Sequence, residues 1–251
     1  MPDSFGCCGV RIDALSPSQA AQAVVDGARD RSLGAVHLCN AYTLSLALRD
    51  AEYAAVLNTS SLRLPDGKPL VWVARSRKAQ LTDRVYGPDL LLDVARAGQA
   101  VGLRHYFYGG TPQILDAFLE RLRSEAPQIV VAGSQAPPFR PATEAELDAL
   151  MHRVTELDVD VVWVGLGTPK QDHFVSQFAP RCARTCVAVG AAYDFLSGAK
   201  RQAPRWMQQR GLEWVFRLVS EPRRLWRRYL IGNTLFVYGV ARDAVRARAR
   251  R

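Results

Sequence analysis

Residues 159–172 read VDVVWVGLGTPKQD. Val159–Val164 is apolar and largely β-branched, the composition of a strand buried on both faces. Gly165-Leu166-Gly167 ends the run. Pro169 suits the first turn of a helix, and Gln171–Phe178 continues as one. A doubly buried strand running through a glycine turn into a helix is the repeating unit of a parallel α/β sheet.

The same unit recurs along the chain. Val10–Ile12 reads as a short strand, and Ser16-Pro17 caps a helix to about Arg29. Ala35–Cys39 is a strand, followed by a helical stretch over Thr43–Val56. Ser61–Leu64 is a strand ending in Pro65-Asp66-Gly67. Lys68–Arg77 and Asp89–Ala100 are helical. His105–Tyr108 ends at Gly109-Gly110, and Thr111-Pro112 caps a helix to about Ser124. Gln128–Ala132 and Cys186–Val189 are strands, and Glu144–Leu157 is a helix. The pattern predicts a mostly parallel, doubly wound sheet flanked by helices, in which ligands bind outside the carboxyl ends of the strands.

Those ends carry chemistry. Asp66 is either a good turn residue or a carboxylate projected into a cleft as a general base. Gly109-Gly110-Thr111-Pro112 is an ordinary strand-to-helix turn or a phosphate cradle at a helix amino end. Gly165 and Gly167 admit close backbone approach, and Gln171 offers a donor and an acceptor. The stretch is no dinucleotide fingerprint, because Lys170 stands at the third glycine position. Asp158-Val159-Asp160 has the form of a metal-binding DxD, but it enters its strand at the amino end, away from the expected cleft. His37, His105, His152 and His173 lack metal-ligand spacing, and packing or surface roles are expected of them. No metal and no cofactor is expected.

The chain has 251 residues, 48% hydrophobic and 23% charged, with a net charge of +9. Five cysteines form no ligand quartet, and their odd number argues against a disulfide framework, so a reducing cytoplasm is expected. Met1-Pro2-Asp3-Ser4 lacks the basic start of an export signal. Residues 200–251 hold fourteen Lys and Arg against three Asp and Glu, a net +11, which leaves residues 1–199 at −2. A near-neutral body, 1–198, and a basic Arg/Trp-rich appendage, 199–251, are therefore expected. Such a tail needs an anionic partner: nucleic acid, lipid head groups or a diphosphate. On a helix Arg224, Arg227 and Arg228 share a face. Leu230–Val240 is apolar but too short to span a bilayer, and fits an interfacial helix better.

Taken in order, these segments resemble the bacterial WecG/TagA/CpsF glycosyltransferase family (glycosyltransferase family 26). The resemblance runs from about Arg11 to Gly232. It rests on Pro65-Asp66-Gly67, Arg84-Val85-x-Gly87-x-Asp89-Leu90, and Gly165-x-Gly167-x-Pro169-Lys170-Gln171. It also rests on Ala203-Pro204-x-Trp206, Gly211-Leu212-Glu213-Trp214, and Arg217-Leu218-x-x-Glu221-Pro222-x-Arg224. It implies a Rossmann-like body with a helical C-terminal appendage that docks on the membrane. It implies transfer of a sugar from a UDP-sugar donor to a polyprenyl-pyrophosphate-linked sugar acceptor, without an obvious metal requirement. Asp66 matches the family's catalytic base, Asn40 a cleft asparagine, and Arg84 and Gln171 substrate contacts. Arg217, Arg224 and Arg227 match arginines that close over the site and bind the pyrophosphate.

The expected enzyme is an inverting transferase on the cytoplasmic face of the membrane, held to its anionic inner leaflet, with a homo-oligomer open. Two departures stand out. Leu38 occupies a position where many members have Thr, so a hydroxyl contact is missing or comes from His37 or Tyr42. Asp172 replaces the Glu that commonly follows the glutamine. Two other readings remain at this stage: a nucleic-acid-binding protein using the tail, with tryptophans stacked on bases, and a catalytically silent scaffold of the same family.

Overall fold

A computed structural model describes residues 3–249. Ser4–Cys7 (β1) and Val10–Asp13 (β2) form an antiparallel hairpin, with positive φ at both turn residues, 56° at Cys8 and 80° at Gly9. That two-residue turn has the twist a hairpin needs. The sequence reading misses β1 because a cysteine stands where such turns usually announce themselves with Asn or Asp.

Strands and helices then alternate: Pro17–Arg29 (α1), Ala35–Cys39 (β3), Ala41–Ala47 (α2), Ala51–Asn58 (α3), Leu62–Pro65 (β4), Lys68–Ser76 (α4), Gly87–Gly98 (α5), Arg104–Gly109 (β5), Pro112–Glu125 (α6), Val130–Gln135 (β6), Glu144–Glu156 (α7), Val161–Gly165 (β7), Lys170–Cys182 (α8) and Thr185–Ala188 (β8). Ala192–Leu196 (α9), Arg205–Gln209 (α10), Glu213–Ser220 (α11) and Pro222–Ala249 (α12) follow. The single helix expected over Thr43–Val56 is two helices. Asp50 adopts extended backbone and its side chain accepts from Tyr53 N at 3.0 Å, which starts α3 afresh.

β3 to β8 form one six-stranded sheet in the order β4-β3-β8-β7-β5-β6, parallel at every pairing. The fold is α/β, as the alternation predicts. Successive residues of β7 serve opposite faces. Val161 and Trp163 join a core with Phe107, Leu91 and Phe118, under α1, α5 and α6. Val162 and Val164 join Tyr106, Val175 and Phe178, under α7 and α8. Both faces are therefore covered, which is what an all-parallel sheet requires.

A third cluster packs the hairpin against α2, α3 and α4, and includes Phe236 of α12. α12 lies close along α2: a Cβ on Gly239 would stand 2.5 Å from Leu48 Cδ1 and 2.7 Å from Cys8 Sγ. Asp243 accepts the Cys8 backbone N–H at 2.7 Å. Beneath this cluster the buried pair Arg63–Asp13 ties β4 to the hairpin. The Asp13 carboxylate accepts from Arg63 Nη2 at 2.8 and 3.2 Å and from Arg63 N at 2.8 Å. Asp13→Ala strands a buried guanidinium, and the expected cost is about 3–5 kcal/mol in urea unfolding. A loss below about 1 kcal/mol would show that water reaches Arg63.

Candidate active site

A cavity of about 1300 Å³ opens above the carboxyl ends of the strands and is roofed by the segment from α10 to α12. Asp66 stands at its floor. The parallel ladder pairs Cys39 with Pro65, and Asp66 N donates to Cys39 O at 2.7 Å. Gly67 then turns the chain into α4 at φ 106°, a value an L side chain rarely adopts. The carboxylate thus projects from a fixed backbone into the cleft.

Asn40 is fixed from both sides. Its Oδ1 caps α2, accepting from Tyr42 N and Thr43 N at 3.1 Å each. That leaves Nδ2 to donate to Asp66 Oδ2 at 3.4 Å. Arg84 arrives from the loop before α5. It donates to Glu213 Oε2 at 2.7 Å and Gln208 Oε1 at 2.9 Å, and its guanidinium lies 4.3 Å over the Tyr86 ring. Burial opposes its charge, but Asp66 and Glu213 hold its pKa above the ordinary value.

Burial pushes Asp66 up to about 6, from an ordinary 3.8. Glu213 adds to the rise, while Arg84, the Asn40 hydrogen bond and Arg217 restrain it. A carboxyl group titrating there is a better proton acceptor than a solvated aspartate and is still ionised at neutral pH.

The walls are cationic. Among the described residues nine Lys and Arg line the cavity against three carboxylates, Asp66, Asp194 and Glu213. Several cations are already paired, Lys68 with Asp83, Lys200 with Asp194 and Arg224 with Glu221. Arg217 lies 5.1 Å over the Phe195 ring and Arg228 4.1 Å over the Tyr42 ring.

The other expected site residues divide. Gly110, Gly165 and Gly167 line the cleft. Gly109 does not: it packs flat on β7, where a Cβ would meet Gly165 O at 2.5 Å. Gln171 is almost wholly buried, and its Oε1 accepts from Gly167 N at 3.0 Å and Gly190 N at 2.9 Å. One side-chain oxygen thereby ties the turn after β7 to the turn after β8. Arg224 reaches the cavity, whereas Arg227 is exposed outside it, 5.1 Å over Trp226, and Arg228 takes the inward position.

Leu38 lines the floor without a hydroxyl. His37 cannot supply one in its place, because it is buried with Nδ1 2.9 Å from Asp172 Oδ1. Tyr53 donates to the other oxygen of Asp172 at 2.8 Å. Tyr42, by contrast, lines the cavity. Asp172 is thus an internal anchor for the start of α8.

Two features escape the sequence reading. Residues 137–142, before α7, form the opposite wall, with Phe139 98% exposed and Lys170 Nζ 4.6 Å over its ring. Its three prolines, Pro137, Pro138 and Pro141, are its only trace in the sequence. The other is the inward position of Arg228, which the sequence places on a face with Arg224 and Arg227 but not among the substrate contacts.

Asp158 and Asp160 lie at the amino end of β7. Asp158 pairs with Arg31, and Asp160 accepts the Arg104 backbone N–H at 2.8 Å. Among the described residues no group of three or more His, Cys, Asp and Glu side chains could hold a metal ion. His105 is buried, accepts from Trp163 Nε1 at 3.0 Å, and is pushed down to about 3 by burial, so it stays neutral.

The chain matches the model of the glycosyl transferase WecG/TagA/CpsF family over residues 5–250. It is similar to the N-acetylglucosaminyldiphosphoundecaprenol N-acetyl-beta-D-mannosaminyltransferase of Bacillus subtilis (strain 168). The two are 28% identical over 203 residues, 80% of this chain and 77% of that protein. A protein of the same name from Bacillus spizizenii (strain ATCC 23059 / NRRL B-14472 / W23) is 29% identical over 185 residues, 73% of this chain and 70% of its own.

Proposed function

The chain belongs to the WecG/TagA/CpsF family of glycosyl transferases, and from that membership we propose that it moves a sugar from a UDP-sugar onto a sugar carried by a polyprenyl diphosphate. The donor sugar favoured by the names of its relatives is N-acetylmannosamine, ahead of its uronic acid or glucose. The observation that carries the reading is Asp66: a desolvated carboxylate at a strand's carboxyl end, in a cavity otherwise rich in guanidinium groups.

Asp66 takes the proton of the acceptor hydroxyl. The oxygen attacks the donor's anomeric carbon from the face opposite the leaving diphosphate, and the configuration inverts. As the C–O bond to UDP breaks, negative charge grows on the diphosphate. Arg217 and its neighbours neutralise it, their planar forks matching phosphate oxygens. Asn40 orients Asp66 and Arg84 favours its ionised form; Gln171 sets the glycine turns after β7 and β8. No metal is assigned a role.

The described part of the C-terminal segment, 199–249, completes this site from above, and the same segment docks on the inner leaflet. Trp226, Leu230 and Val237 are exposed along α12 with arginines between and beside them, a pattern suited to an anionic interface. Among the described residues no helix is long and apolar enough to cross a membrane.

The test is a panel of UDP-sugars with a short-chain prenyl-diphosphate N-acetylglucosamine acceptor, reading UDP release. UDP-N-acetylmannosamine should give acceptor-dependent release, and EDTA should change the rate by less than about twofold. Failure of every donor, together with steep salt-dependent RNA binding, would instead favour the nucleic-acid reading.

A further inference from the structure

Two helices, one from the body and one from the tail, leave the cavity side by side. α4 starts at Lys68, directly after the Asp66-Gly67 turn, and α12 turns Arg224 and Arg228 into the same space. Beyond these cations each helix gives the cavity an apolar stripe. On α4 it is Pro69, Trp72, Val73 and Ser76, the spacing of one helix face. On α12 it is Phe236, Val240 and Ala244, with Val237 and Ala241 beside them. Ser76 alone among these is polar. The stripes run for about 10–12 Å. The later cations, Arg75 on α4 and Arg242 and Arg246 on α12, line no part of the cavity among the described residues. Arg77 Nη2 and Asp243 Oδ2, 3.6 Å apart, tie the two helices at the far end.

The cavity is therefore cationic at the end that holds Asp66 and apolar at the other. Trp72 is 53% exposed and Val237 65%, so part of the apolar lining stands open to water. Covering such a surface with hydrocarbon is favourable in proportion to its area. The tail also touches this groove. Gly211, at φ 74°, lies so near α4 that a Cβ there would stand 3.0 Å from Trp72 Cη2. The turn that carries Glu213 to Arg84 thus sits against the wall of the groove. A ligand that fills both ends of this space is an anion joined to a hydrocarbon chain.

We propose that the groove between α4 and α12 takes up the hydrocarbon next to the diphosphate of the acceptor, drawing it out of the bilayer. This rests on the glycosyl-transfer reading above. It gives α4, a helix of the body, a part in choosing the lipid, with Trp72 and Ala241 on the two facing walls.

Farnesyl diphosphate and inorganic pyrophosphate are titrated calorimetrically into the full-length enzyme, without detergent or vesicles. The farnesyl ester should bind about 10- to 10²-fold more tightly. Ala241 is exposed on its stripe. Ala241→Asp puts a charge there and Ala241→Trp fills the space. Each should remove most of the farnesyl preference and leave pyrophosphate and UDP affinity within about twofold. Trp72→Ala should remove part of it. Val245→Asp, exposed on α12 but outside the cavity, should change neither affinity. In turnover, lengthening the acceptor chain from methyl to geranyl to farnesyl should lower the acceptor KM by about tenfold or more. Ala241→Trp should flatten that series, with the donor KM unchanged.

Equal affinity of the wild type for the two probes would overturn the proposal. So would a chain-length effect seen only with vesicles, which would give the hydrocarbon to the bilayer. An Ala241→Asp enzyme that keeps the farnesyl preference but splits from a dimer in sedimentation would give this face to a second copy, and would also overturn it. If Ala241→Asp fails to fold, Ala241→Trp and Trp72→Ala decide. A farnesyl preference without UDP release from any donor would leave the groove standing and defeat the transfer reading.

Discussion

Asp66→Asn is expected to lower kcat by about 10²-fold or more while leaving UDP binding near its wild-type value. The asparagine keeps the shape and can still accept the Asn40 amide, so the loss isolates proton transfer. The wild-type kcat/KM should rise with pH through a limb near pH 6, because the base works only when ionised and its pKa stands at about 6. That limb should vanish in Asp66→Asn. The linkage has a definite sign. The folded pKa lies above the unfolded value, so the folded chain binds more protons between about pH 4 and pH 6 and loses stability as pH rises through that window. At pH 7 the asparagine variant should therefore be the more stable, by on the order of 1 kcal/mol in urea unfolding. Near-wild-type turnover in Asp66→Asn would remove this residue as the base.

Arg84→Met should act on the same carboxylate from outside. Arg84 is the largest restraint on the Asp66 pKa and the sole ion-pair partner of Glu213 among the described residues. Without it two carboxylates face each other across a desolvated gap. The acid limb of kcat/KM should move up by about one pH unit, and turnover at pH 7 should fall about 10- to 10²-fold. Breaking a largely buried pair on one side should also cost about 3 kcal/mol of stability. Arg84→Lys restores charge but cannot reach Glu213 and Gln208 from one planar group, so it should recover the pH limb better than the turnover. An unmoved limb in Arg84→Met would show that the guanidinium does not govern the base.

Much of this was legible in the residues. Repeated apolar strands closed by glycine or Pro-Asp-Gly turns specified a parallel sheet, and a parallel sheet puts its loops at one edge. Asp66, Asn40 and the glycine turns therefore fall at that edge by sequence alone, although Gly109 packs on β7 and does not line the cleft. Spacing could not say which of two adjacent arginines turns inward. Arg227 and Arg228 are both one turn from Arg224, and the choice depends on how α12 rolls against α2, which Gly239 and Phe236 decide from far along the helix. Nor could it show that Gln171, which lines the cavity, also clasps two turns, because its Gly190 partner follows the neighbouring strand β8 and lies 19 positions away in sequence. His37 as a replacement for the Leu38 hydroxyl failed for a plain reason. Adjacent strand residues face opposite ways, and His37 faces Asp172 in the interior.

The Arg84–Glu213 ion pair joins a loop of the body to the tail across 129 positions of sequence. Glu213 and the cover given by the neighbouring helices are what lift Asp66, and Arg84 is what holds it down. Were α11 to swing away, Glu213 would leave with it and water would reach Asp66, removing both causes of its raised pKa. The aspartate would then revert to a weak proton acceptor. The basicity of Asp66 is therefore expected to depend on the seating of α11, through burial and Glu213 together.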